Sequence, residues 1–166
     1  MKFLKFLLFI TFIFLLAVFE TSWQVIPDTV NIVFIFVVIN LLKDRYNKKS
    51  LYAWTSVLIG GVFLDFYSLL PDGLYFITFI ILAFILYQVL LSAFSISSHF
   101  HVLVVSFVAS LVFKITIYLL NKLFYYIGFS TSLMSFSLIH LISFMILNSL
   151  LIFLFYGWHI RYTIKK

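Results

Sequence analysis

Six long apolar stretches run through this chain, each separated from the next by a short polar or turn-forming segment. A membrane-crossing helix needs about 20 mostly apolar residues, with a tolerated range of about 17–25. The pattern predicts spans at Leu4–Glu20, Ile26–Leu42, Tyr52–Leu70, Leu74–Ser92, Val102–Leu120 and Met134–Gly157. Pro27 falls in the first turn of the second, where its missing N–H removes no intrahelical bond. Pro71-Asp72-Gly73 reads as the turn between the third and fourth. The segment 121–133 carries aromatics suited to the membrane–water interface.

Composition narrows the class. Of 166 residues, 65% are hydrophobic and only 10% charged, against about 45–50% apolar and about 25% charged in a soluble domain. The expected fold is therefore an all-α integral membrane protein of six transmembrane helices in a single polytopic domain, residues 1–166. The chain has no cysteine, which removes disulfides, thiolate nucleophiles and Cys-based metal sites. The first stretch resembles a signal peptide, with Lys2 and Lys5 before an apolar run. Ala17-Val18-Phe19-Glu20 does not supply the small-residue cleavage pattern, so a retained helix is expected.

The net charge of +6 matters through its placement. With the N-terminus inside, Lys2, Lys5, Lys43, Arg45, Lys48, Lys49, Arg161, Lys165 and Lys166 lie in or beside cytoplasmic segments, which is nine of the eleven basic residues. Glu20, Asp28 and Asp72 fall on the outer side. Both termini are expected in the cytoplasm, and the charge points to a bilayer rather than to nucleic acid.

Ionisable groups inside a span are costly and mark candidate sites. They are Asp65 in the third span, Lys114 in the fifth and His140 in the sixth. At about 1.5 Å rise per residue, all three sit at a similar depth, roughly 8–9 Å below the outer boundary. Asn31 enters from the same side. These four are expected to form one polar cluster for a partner or ligand, with Asp65 and Lys114 offsetting each other's desolvation. The competing structural reading has Asp65 capping the nearby turn, Lys114 snorkelling outward and His140 simply packed. Gly60 and Gly61 are expected to admit a close helix neighbour, and Gly73 is grouped with them.

No arrangement for catalysis emerges. Only one aspartate is buried in a span, no Gly-x-Ser lies within one, and no phosphate loop or His-Glu-x-x-His is present. His99 and His101 have metal-like spacing but no third ligand nearby. Neither a metal nor another cofactor is expected, and the chain reads as non-enzymatic.

From Pro27 to Gln88 the chain resembles the bacterial rod shape-determining MreD family. That pattern is a Pro opening the second span, a basic loop, a Gly-x-x-x-Asp step in the third span, and a Gly soon after. Here these are Pro27-Asp28, Lys43-Asp44-Arg45-Tyr46-Asn47-Lys48-Lys49, Gly61-Val62-Phe63-Leu64-Asp65, and Gly73. A further Gly often follows the Asp by four residues, where this chain has Leu69, and Pro71-Asp72 precedes Gly73. The resemblance implies a scaffold in the bacterial inner membrane, part of the cell-wall elongation machinery (the elongasome) that regulates cell shape. Its implied partner is an MreC-like membrane protein, with indirect links to the MreB filament, RodA and a class B penicillin-binding protein.

The same family resembles the six-helix substrate-binding subunits of energy-coupling-factor vitamin transporters, which supplies the rival expectation of a solute-binding subunit. An MreC-like neighbouring gene would favour the scaffold, and an energising ATPase the transporter.

Overall fold

A computed structural model describes the backbone of residues 2–22, 29–47, 50–68, 70–90, 99–130 and 133–163, and its regular structure is entirely helical. The helices are α1 (Lys2–Ser22), α2 (Ile32–Asn47), α3 (Ser50–Tyr67), α4 (Leu74–Ile85), α5 (His99–Ile127) and α6 (Leu138–Thr163). Residues Leu86–Leu90 prolong α4 with the wider spacing of a π-helix. Among the described residues, three helical segments are long and apolar enough to cross a membrane: Phe3–Ser22, Phe100–Ile127 and Leu138–Tyr156. Leu51–Tyr67 and Leu74–Gln88 are apolar but shorter. An all-helical membrane protein follows from that length and composition.

Several helix ends differ from the sequence expectation. The second helix starts at Ile32 rather than Ile26, because the Asn31 side chain accepts the Phe34 N–H and sets the first turn there. Pro27, the expected opening residue, lies outside the described residues. The same helix runs on to Asn47, since Lys43 and Arg45 are good helix formers and carry it past the last apolar residue. The fifth helix passes Leu120 and continues to Ile127. It ends at Gly128 (φ 85°), with Gly128 N–H bonded to Tyr125 O and Phe129 N–H to Phe124 O. That is the double closure of a Schellman motif, which only a residue tolerant of left-handed backbone makes cheaply. The sixth helix begins at Leu138 rather than Met134.

The second helix is the axis of the bundle. Val33, Phe34, Val37, Val38, Leu41 and Leu42 are all fully buried. It packs against α1, α3 and α6, and Phe34 meets Phe113 of α5 at 4.5 Å between ring centroids. Phe113 in turn contacts Phe79 of α4 and stacks on Phe144 of α6. Four rings from four helices thus close the middle of the molecule. By contrast α1 leaves Phe3, Leu4, Leu8 and Leu15 well exposed, as a helix facing lipid tails does.

On α3, adjacent glycines serve different neighbours. A Cβ on Gly60 would meet the side-chain ends of Val33 and Val37 on α2, at 3.1 and 3.3 Å. A Cβ on Gly61 would lie 2.7 Å from Cα of Phe76, inside the backbone of α4. The first glycine lets α2 approach, and the second sets the α3–α4 crossing.

Candidate functional site

Asp65 stands one turn beyond Gly61 and faces the same helix. Its Oδ1 accepts the Tyr75 N–H at 2.7 Å and its Oδ2 the Phe76 N–H at 3.0 Å. The Gly73 N–H is also directed at this carboxylate. The first N–H groups of a helix have no intrahelical acceptor, and an unpaired one costs free energy where it is buried away from water. A carboxylate from the preceding helix therefore caps α4 and joins its charge to the positive end of the helix dipole.

The turn between the two helices makes this geometry possible. Leu74 N–H bonds back to Pro71 O at 3.2 Å, and Gly73 takes φ 86°, ψ −7°, the left-handed corner such a turn requires. A Cβ on Gly73 would meet nothing within 4 Å. The sequence grouping of Gly73 with the helix-packing glycines is corrected here: it acts through its backbone conformation. Gly61, Asp65 and Gly73 together form one device, a tight, capped helical hairpin.

Between the two helices, at the turn end, lies an open cleft of about 300 Å³ lined by Val62, Asp65, Phe66, Asp72, Gly73 and Phe76. Its walls are apolar, and its polar side chains are the two carboxylates. Phe66 is 77% exposed beside it.

A second polar group surrounds the start of α2. Glu20 of α1 accepts the Val33 N–H at 3.0 Å and also bonds the Ile32 N–H. Asn148 of α6 accepts the Asn31 N–H at 3.0 Å through Oδ1, and its Nδ2 donates to Thr29 O and Phe144 O, both at 2.8 Å. Lys114 of α5 places Nζ 4.6 Å from the centroid of the Phe144 ring, and its charge acts on Glu20. The Asn31, Val33 and Phe34 N–H groups at the start of the axial helix are thus met by the side chains of Asn148, Glu20 and Asn31.

The four residues expected to share one cluster are therefore distributed. Asn31 and Lys114 belong to the group at the start of α2. Asp65 is held by the backbone of α4 in place of the Lys114 ammonium, and Lys114 finds Glu20 and a phenyl face. His140 is exposed in the first turn of α6, with its N–H 3.5 Å from Ser137 Oγ. A shared depth put these side chains at one level, but the direction each one faces is set by helix rotation. Glu20 and Asn148 were the members to add. An acid in the last turn of an apolar span and a mid-span amide sharing a face with Phe144 were the available signals. The serines of α5 bond their own helix, Ser106 to Leu103 O and Ser110 to Ser106 O.

At the opposite end of α2, buried Asp44 accepts the Tyr87 hydroxyl at 2.5 Å, and Trp54 stacks on the Tyr87 ring. This contact ties α2, α3 and the widened turn after α4. Among the described residues no three His, Cys, Asp or Glu side chains come close enough together to hold a metal ion. The side chain of His99 lies outside the described residues.

Comparison with known proteins adds no name to this geometry: no family model matches the chain, no curated protein matches it, and no solved structure matches it.

Proposed function

We propose that this protein is a non-enzymatic scaffold of the bacterial inner membrane, similar to the MreD family and acting with an MreC-like partner in cell-wall elongation. In this reading the chain crosses the bilayer six times with both termini in the cytoplasm. The cleft at the α3–α4 turn then opens toward the outer face.

The observation that carries the reading is the α3–α4 hairpin. The residues of the family-like order Gly61, Asp65 and Gly73 meet in one structural unit, with Phe76 at its centre. An order of residues that converges on one contact is stronger support than the same letters scattered over a helix. The filled axis favours a scaffold over a solute carrier. A carrier needs a cavity among its helices, whereas α2 and the rings of Phe34, Phe79, Phe113 and Phe144 occupy the middle of this bundle.

Depletion in a rod-shaped host tests the reading, together with co-purification in mild detergent. Rounded, widened cells and recovery of an MreC-like protein are expected. Normal rods whose growth is rescued by a vitamin would overturn the scaffold in favour of the transporter subunit.

A further inference from the structure

The end of the bundle opposite the α3–α4 turn holds a contact for which the scaffold reading has no use. Up to Leu86, α4 keeps ordinary α spacing, with the Leu86 N–H shared between Leu82 O and Ala83 O. Over Leu86–Leu90 the spacing widens to that of a π-helix. Single turns of this kind are rare and are found frequently at functional sites. Each N–H reaches back one residue further than in an α-helix. By Leu90 the two registers therefore differ by about one residue, or about 100° around the axis.

Three contacts hold the wider register. Leu86 is fully buried and anchors the start of the turn. The Tyr87 hydroxyl donates to Asp44 Oδ2 on α2. The Tyr87 ring stacks on Trp54 of α3, with centroids 6.0 Å apart and planes 17° apart. The arrangement is incomplete, because Asp44 is only 8% exposed and its Oδ1 has no hydrogen-bond partner. An unmet buried acceptor costs about as much as a hydrogen bond to a charged group contributes. The wider register thus sets a rare backbone form and an unmet oxygen against one hydrogen bond and one ring contact. Opposing terms of similar size leave two conformations close in free energy, with the minor one measurably populated.

We propose that Leu86–Leu90 is a register switch latched by the Tyr87–Asp44 hydrogen bond. In the latched register the end of α4 is tied to α2 and α3. In the released register the segment takes α spacing. The small backbone rotation at Tyr87 is magnified at the far end of its side chain and withdraws the hydroxyl from Asp44. The end of α4 then leaves the bundle in a different direction, as helices do on either side of a π-turn. The switch does not depend on the partner proposed above.

The test uses the full-length protein in phosphatidylcholine nanodiscs, where the lack of native cysteine allows one nitroxide label at a chosen position. The label replaces Gln88 inside the turn or Phe84 one helical turn before it, both exposed positions. At 88 the spectrum is expected to show two components, the released one at most about 10%. At 84 it should show one. Tyr87→Phe keeps the ring and removes only the hydroxyl. It should raise the released-to-latched ratio at 88 on the order of tenfold, the scale of one hydrogen bond to a charged group, and leave 84 unchanged. Asp44→Asn should raise the ratio less, because its amide oxygen still accepts. Added to Tyr87→Phe, it should change nothing further, since the bond it serves is already gone.

An unchanged ratio at 88 in Tyr87→Phe would overturn the proposal. So would an equal change at 84, which would mean that the bond steadies α4 as a whole. A double variant with a ratio well above that of Tyr87→Phe alone would also overturn it, by giving Asp44 a role outside the latch.

Discussion

Asp65 and Phe76 are joined across two helices by a carboxylate–amide hydrogen bond of 3.0 Å, one helical turn from the point where Gly61 meets the same Phe76 backbone. Close approach and capping depend on each other. Without the glycine the helices cannot come near enough for the carboxylate to reach, and without the carboxylate the start of α4 would keep unpaired, part-buried N–H groups.

The two neighbouring glycines should therefore respond differently to one added methyl. Gly61→Ala puts an atom into the α4 backbone and should cost about 1–3 kcal/mol as overpacking. Gly60→Ala meets only the movable ends of Val33 and Val37, and the better helix propensity of alanine, about 1 kcal/mol, offsets the crowding. Thermal unfolding of the two variants in detergent checks the order. Equal losses would place the backbone crossing elsewhere.

Asp65 and Lys114 should behave independently. Asp65→Ala removes the cap of α4, a loss of about 0.5–2 kcal/mol, and Asp65→Asn should be milder because its amide oxygen still accepts. Combining Asp65→Ala with Lys114→Met should give the sum of the single effects within about 0.5 kcal/mol. A double variant clearly more stable than that sum would restore the ion pair that the structure replaces with a backbone cap.

Glu20 and Lys114 make the opposite case. Lys114 acts on Glu20, so Glu20→Gln and Lys114→Met should show a coupling above about 0.5 kcal/mol in a double-mutant cycle. Purely additive effects would mean that Glu20 serves only the N–H groups of Ile32 and Val33.

Asn148 and His140 sit on one helix yet should differ sharply. Asn148→Leu strands the Asn31 N–H and Thr29 O, at about 1–3 kcal/mol for each unsatisfied group. His140→Ala alters an exposed ring and should stay within about 0.5 kcal/mol. Protein yield and melting temperature read both.

The absence of native cysteine makes topology directly measurable. Single cysteines at positions 72 and 122 should react with an impermeant maleimide added outside intact cells, and those at 48 and 165 should not. The reverse pattern would invert the orientation and turn the α3–α4 cleft toward the cytoplasm.

The membrane character of this chain was legible from its residues alone, because burying so many apolar side chains in water is impossible for a chain with so few polar ones. Asp65, Lys114 and Asn31 stood out for the related reason that a polar group in an apolar stretch must find a partner. Which partner it finds is a different matter. Depth along a helix is additive and can be counted from the sequence, but azimuth depends on how each helix turns and tilts against its neighbours. That rotation gave Asp65 the N–H groups of α4, gave Lys114 the Phe144 ring and Glu20, and left His140 on the surface. The role of α2 was hidden in the same way. Its residues look like another lipid-facing span, and only the packing of α1, α3, α5 and α6 around it makes it the axis, with a first turn that must be capped by side chains drawn from elsewhere in the chain.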